Sequence, residues 1–278
     1  MRLFAVGDIH GCATAFDTLL SAIALRPSDR MITLGDYINK GPDTKTVLDL
    51  LLRLSNWGVL IPLLGNHELK MLIAGRFGQA VVHGEVFVDA HTLTSYAGLP
   101  PEAEVNPVDL NVIPDTHWHF LQHDCLRWFA TNNHIFSHGM LSSQIPLLRQ
   151  PDRVIFWNKL DHPQPHPSGK VLVCGHTPQR SGYPLNLGHT IGLDTAACEG
   201  QWLTCLDITS GNIWQANQQG QLRQSHLQDY GSMPPTFPHA AKPMAPGETG
   251  LPAGPVPAWP RMIPEYIKTA AKPDVATV

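Results

Sequence analysis

Asp8, His10, Asp36, Asn66 and His67 fall in three short segments, Gly7-Asp8-Ile9-His10-Gly11, Gly35-Asp36 and Gly65-Asn66-His67-Glu68. Carboxylate, imidazole and amide groups together offer a mixed oxygen and nitrogen donor set, suited to a hard or borderline divalent cation. Taken singly, an Asp or Asn in such a place reads as a cap for a helix or turn. Taken together they share a context, because each segment follows an apolar run: Leu3-Phe4-Ala5-Val6, Met31-Ile32-Thr33-Leu34 and Val59-Leu60-Ile61-Pro62-Leu63-Leu64. Such runs read as buried strands, and each segment then opens into a helical pattern. Strands followed by helices deliver these donors to the carboxyl edge of a sheet, where ligands bind.

The elements that must position them follow from periodicity. The first helical pattern puts Phe16, Leu19, Leu20 and Ile23 on one face; the second starts near Thr44 as its N-cap and turns Val47, Leu48, Leu51 and Leu52 inward. The third begins at the Gly-Asn-His-Glu segment and buries Leu69, Leu72 and Ile73. This alternation predicts a parallel α/β sheet. Residues 77–114 are punctuated by Gly and Pro and read as a cap or loop insertion beside the site. Asp115 reads as the N-cap of a helix burying Trp118, Leu121, Cys125 and Trp128. Prolines make 161–168 a loop. Short strands are expected at 190–193, 203–208 and 213–216, with a turn at Ser210-Gly211-Asn212.

At these motifs the chain resembles the phosphoprotein phosphatase family of binuclear metallophosphoesterases, in particular its bacterial serine/threonine protein phosphatases. That family carries Gly-Asp-x-His-Gly, Gly-Asp-x-x-Asp-Arg-Gly and Gly-Asn-His-Glu, then two strand ends with a single histidine each. The latter are similar to Ile135-Phe136-Ser137-His138-Gly139 and Val171-Leu172-Val173-Cys174-Gly175-His176-Thr177-Pro178. The resemblance runs from residue 1 to about 214. It implies a β-sandwich flanked by helices (α/β, or α+β by some schemes).

The resemblance also implies a ligand set: Asp8 and His10 on a first metal, Asp36 bridging, and Asn66, His138 and His176 on a second. Two divalent ions follow, Mn2+ first, with Fe or Zn compatible. A hydroxide between them would attack phosphorus in line, and His67 would protonate the leaving oxygen. The second motif departs from the family: Asn39 stands where an Asp orients that His, and Lys40 where an Arg grips phosphate. Lys159, in Trp157-Asn158-Lys159, stands where relatives carry another clamping Arg. Lys keeps the charge and loses the bidentate fork. Asn66 is a further phosphate contact in this scheme. Arg76 and Arg180 are conceivable substitutes that read better as surface residues, and His119 with His123 forms a two-ligand clamp without a third ligand in view.

The implied activity is phosphomonoester hydrolysis on phosphoprotein. Diadenosine tetraphosphate or another small phosphoester is the alternative; Glu68, where such relatives usually carry Asp, favours the protein-phosphatase side. A non-catalytic phosphate-binding module is the reading from another class. A net charge of −4 argues against nucleic acid or an anionic membrane as partners. Scattered cysteines, five in number, predict no disulfide framework, and with no signal-like or membrane-spanning run the expected location is the cytoplasm. Residues 1–230 read as the catalytic domain. Residues 231–278 are crowded with proline and read as a disordered tail, in which Trp259, Met262, Ile263, Tyr266 and Ile267 could dock on the domain or a protein partner.

Overall fold

The computed structural model describes residues 1–101, 103 and 110–231. Of the tail expected over 231–278, all but Gly231 lies outside them. In chain order the elements are β1 (Leu3–Val6), α1 (Ala13–Ile23), β2 (Arg30–Thr33), α2 (Thr44–Asn56), β3 (Leu60–Pro62), α3 (Asn66–Phe77), β4 (Val81–Val82), β5 (Glu85–Val86) and α4 (Ala90–Ala97). They continue as α5 (Asp115–His119), β6 (Trp128–Ala130), β7 (His134–Ser137), α6 (Asp152–Trp157), β8 (Val171–Cys174), β9 (Leu185–Asn186), β10 (Thr190–Gly192), β11 (Leu203–Asp207), β12 (Asn212–Ala216) and β13 (Leu222–His226).

Two mixed sheets form, in the orders β13-β12-β11-β1-β2-β3 and β6-β7-β8-β10-β9. Strands β1, β2 and β3 are parallel, as the strand-helix alternation predicts. Strands β11 to β13 then return antiparallel on the other side of β1, so the expected all-parallel sheet is only half of the first sheet. In the second sheet β7, β8 and β10 are parallel to one another. Six strands, three parallel in each sheet, therefore end at the carboxyl edges where the histidine and carboxylate loops begin.

Burial explains why the strands read as unbroken apolar runs. Phe4 and Val6 face the helices, in one core with Phe16, Leu19, Leu48 and Leu51. Ala5 faces the other way, into a second core between the sheets with Ile32, Leu34, Phe136, Val173, Ile191 and Leu206. A strand covered on both faces loses the apolar-polar alternation. Truncating a wholly buried contributor such as Phe136 would cost about 3–5 kcal/mol.

Some boundaries differ from expectation. Asp43, not Thr44, caps α2, its side chain accepting the Thr46 N–H; Thr44 is the first helical residue. Pro114 precedes α5 and Asp115 is already helical. A π-helical turn over Phe120–Asp124 then ends the helix before Cys125, and Trp128 packs from a strand. The described part of 77–114 is more regular than its composition predicts: β4 and β5 pair as a hairpin, and Asp89 caps α4 by accepting the Thr92 N–H. Among the described residues no helix is long and apolar enough to cross a membrane.

Candidate metal centre

Glu68 ties the second and third segments together. Its buried carboxylate accepts the backbone N–H groups of Asp36 and Tyr37 (both 2.7 Å), Gly65 (2.8 Å) and Ile38 (3.3 Å). Burial first, then repulsion from Asp36, pushes its pKa up to about 8, while those N–H bonds pull the other way. Glu68 thus holds loops together, a duty that carries no information about substrate.

His10 (φ 44°), Asp36 (52°), Asn39 (66°), Lys40 (69°) and His176 (62°) all hold the left-handed backbone region. Each costs on the order of 1–3 kcal/mol for a residue with a side chain, and such strain concentrates at functional sites. Two glycines give the carboxylates room. A Cβ on Gly65 would lie 2.1 Å from Asp36 Oδ1, and one on Gly175 would lie 2.0 Å from Asp8 Oδ1.

The backbone also fixes which nitrogen each histidine turns inward. His10 donates Nδ1–H to the Ile38 carbonyl (2.8 Å), and His138 donates its own to Leu34 (2.9 Å). Each keeps an Nε2 lone pair. His176 donates Nε2–H to the Trp157 carbonyl (3.1 Å), which frees Nδ1. Burial pushes His10 down to about 3 and His176 to about 4, so both rings are neutral near pH 7. Burial lowers His138 too.

Asn66 Oδ1 lies 2.9 Å, and Asp36 Oδ1 3.4 Å, from His138 Nε2. Lone pairs of three side chains converge there, the only proton being the His67 backbone N–H on Asp36 Oδ1 (3.1 Å), and a bound cation would resolve the arrangement. His10, Asp36 and His67 bring one donor atom each within 4.8 Å of one another, and so do Asp36, His138 and His176. Asp36 belongs to both groups. The donors therefore fit divalent metal, and Asp36 is the carboxylate common to both groups.

Asp8 lies outside both groups, both carboxylate oxygens accepting the His176 N–H at 3.1 Å. Burial and the neighbouring carboxylates of Asp194 and Asp36 raise its pKa. Asp194 escaped the sequence reading. It is 4 % exposed and takes the Ala196 N–H. Its place directly after an apolar strand, like Asp8 and Asp36, is the signal that could have found it.

His67 and Lys40 line the opposite side. Lys40 is exposed, and its Nζ sits 2.9 Å from His10 Nε2. The Asn39 amide is oriented by obligate partners: Oδ1 accepts the Asp89 N–H (2.9 Å), and Nδ2 donates to the Phe87 carbonyl (3.0 Å). The remaining Nδ2 hydrogen therefore faces His67 Nδ1, at 2.9 Å, and that nitrogen must accept. Burial lowers the His67 pKa, which agrees with a neutral ring carrying its proton on Nε2.

The other expected contacts are peripheral. Lys159 is exposed at the end of α6, close enough to depress the His176 pKa. Arg180 pairs with Glu199, and Arg76 lines a separate cavity of about 380 Å³ beside α5. The rings of His119 and His123 are 4.6 Å apart, and neither joins a metal-competent cluster among the described residues.

The chain is similar to known proteins in sequence and in fold. Residues 1–199 match the calcineurin-like phosphoesterase family. Over 75 residues the chain is 47 % identical to a symmetrical bis(5'-nucleosyl)-tetraphosphatase of Acidovorax sp. (strain JS42), a match spanning 27 % of this chain and 26 % of that protein. Over 106 residues it is 33 % identical to the protein of the same name from Pseudomonas fluorescens (strain SBW25), spanning 38 % and 35 %. The chain thus matches a quarter to about a third of these relatives' length. A solved structure provisionally named a diadenosine tetraphosphatase superposes with TM-score 0.52 and 24 % identity, covering 81 % of this chain and 93 % of that one. A serine/threonine protein phosphatase from Saccharomyces cerevisiae follows at TM-score 0.51 and 12 % identity, covering 75 % and 73 %; both are likenesses of fold. The match over residues 1–199 is more than half of the chain, which belongs to the calcineurin-like phosphoesterase family.

Proposed function

We propose that this metallophosphoesterase hydrolyses phosphoanhydrides, with a dinucleoside tetraphosphate cut symmetrically into two nucleoside diphosphates as its substrate class. This replaces the phosphoprotein reading of the sequence. The observation that carries it is the Asn39 N–H directed at His67 Nδ1. An Asp there would accept Nδ1–H, favour the imidazolium and make His67 a proton donor to an alkoxide. With Asn39, the neutral ring offers only an Nε2–H hydrogen bond. A nucleoside diphosphate leaves as a weakly basic anion and needs no more than that, whereas a serine or threonine alkoxide does. The names of the sequence relatives favour the same substrate.

Asp8, His10, Asp36, Asn66, His138 and His176 would hold two divalent ions, with Mn2+ the first choice for this donor set. Such a pair, when bound, clamps phosphate oxygens and lowers the pKa of a bridging water. Lys40 adds a positive charge at the mouth for the polyphosphate chain, and His67 donates its Nε2–H to a leaving or non-bridging oxygen.

The test is product analysis on diadenosine tetraphosphate, a phosphoserine peptide and an aryl phosphate, with and without Mn2+, beside Asp36→Asn. The expected result is ADP as sole nucleotide product, dependent on metal and lost in the variant. Turnover of the phosphopeptide alone would restore the protein-phosphatase reading. Bound metal with no turnover on any substrate would leave a phosphate-binding module.

A further inference from the structure

The segment from Phe87 to Thr92, after the hairpin of the insertion, meets Asn39 and Lys40 across about fifty residues of sequence. Thr92 is wholly buried, and its Oγ1 accepts the Asn39 N–H (3.0 Å) and donates to Asn39 Oδ1 (3.1 Å). Asp89 uses its own N–H on Asn39 Oδ1 (2.9 Å). Its two carboxylate oxygens take the Thr92 N–H at the start of α4 (2.9 Å) and the Lys40 N–H (2.6 Å). The Phe87 carbonyl takes Asn39 Nδ2–H (3.0 Å). The strap is anchored at both ends: Lys70 bonds Glu85 (2.5 Å) beside the buried Phe87, and Tyr96 on α4 bonds the buried His117 (2.6 Å).

Asn39 and Lys40 are consecutive left-handed residues (φ 66° and 69°), a conformation that side chains resist and that needs outside support. The strap provides it. It also settles what position 39 must be: a group that accepts on the side of Asp89 N–H and donates on the side of the Phe87 carbonyl. An amide satisfies both, whereas an ionised carboxylate would set an oxygen against the carbonyl oxygen of Phe87.

From this we infer that the Phe87–Thr92 strap is the specificity-determining element of the site, with Thr92 and Asp89 as positioning residues. They orient the Asn39 amide toward His67 and hold the backbone that carries the Lys40 ammonium at the mouth of the site. The inference rests on the roles proposed above for Asn39 and Lys40. It adds that leaving-group preference is written in the insertion, outside the metal-bearing loops.

The test compares full-length wild type, Thr92→Val, Thr92→Ser and Asp89→Ser on diadenosine tetraphosphate, with bound Mn2+ and melting temperature followed in parallel. Thr92→Val keeps the shape and removes the hydroxyl, so kcat should fall about tenfold, the weight of one positioning hydrogen bond. Thr92→Ser should restore wild-type kcat, and both should keep full metal occupancy. Asp89→Ser retains a helix cap yet loses the reach to Lys40, so KM should rise with kcat little changed. A Thr92→Val enzyme equal to wild type, or a Thr92→Ser enzyme as slow as Thr92→Val, would overturn the inference. A Thr92→Val chain that fails to fold while Asp89→Ser folds with unchanged KM would overturn it as well. Absence of hydrolysis by wild type would instead overturn the proposed function.

Discussion

The two sides of the site are built by opposite rules. Around Asp36, Asn66 and His138 the imidazole protons are drawn outward: His138 gives Nδ1–H to Leu34, His10 gives its own to Ile38, and His176 gives Nε2–H to Trp157. What points inward is lone pairs, and the pocket is organised for cations. Around His67 protons point inward instead, from Asn39 Nδ2 to the ring and from the Lys40 ammonium to His10. The difference teaches that one half is built to hold metal, while the other, on the function proposed above, chooses what the centre cleaves.

The most severe way to break the cation side is Asp36→Asn, which removes the carboxylate common to both donor groups. The expected loss in kcat/KM is about 10³-fold or more, on the scale of removing a main electrostatic group from an active site. Metal analysis should find fewer than two ions per chain. A variant with full metal and near-normal rate would sink the bridging role.

Gly175→Ala attacks the same side through packing. The new Cβ would collide with Asp8 Oδ1, and the carboxylate would have to leave the His176 N–H. Metal affinity should fall about 10–100-fold, as for other supports of metal ligands, with secondary structure retained. Unchanged affinity, measured by titration with Mn2+, would remove Asp8 from the centre.

Acid tests the same side without mutation. His10 and His176 have pKa values near 3 and 4 in the fold, below the ordinary imidazole value of 6.5. At these two rings the unfolded chain binds protons that the native state refuses, so their contribution to stability is full above pH 6.5 and is lost progressively toward pH 4, offset in part by Glu68, whose raised pKa of about 8 contributes in the opposite direction. The melting temperature of metal-free protein should fall across that window, and Mn2+, which binds the neutral rings, should offset part of the fall above pH 5. A flat profile from pH 7 to 4 would mean that the rings are not held neutral.

Much of this was legible in the sequence, and what was missed has a physical pattern. Asp8, His10, Asp36, Asn66 and His67 could be found because each follows an apolar strand, and strand ends are a local property. The inward orientation of each ring was not legible, since it depends on carbonyls such as Leu34 and Trp157 that are distant from the histidine in sequence. The departure at Asn39 and Lys40 was visible as a break in a motif. Its hydrogen-bond partners were not, because Asn39 bonds Phe87, Asp89 and Thr92, far along the chain. Residues 77–114 looked irregular because a hairpin of two-residue strands and an eight-residue helix are too short to give periodicity. The Asp89 cap of α4 is a local signal there that could have been read.

The smallest effect, and the sharpest for the comparison, is Asn39→Asp. A carboxylate at this place accepts from His67 Nδ1 and moves the ring toward the imidazolium. It also faces the Phe87 carbonyl at about the present 3.0 Å with no proton between them. Two consequences of opposite sign follow. Alkyl phosphates, which need a proton donor, should gain relative to aryl phosphates by about tenfold, at the low end of what general acid catalysis contributes. Stability should drop by about 1–3 kcal/mol, the cost of a buried acceptor left without a donor, read as a lower melting temperature. A changed substrate ratio without the stability loss would mean that the strap does not enforce an amide. A stability loss with equal rate changes on both substrate classes would mean that Asn39 serves packing, and that the division between the two sides of the site is not one of chemistry.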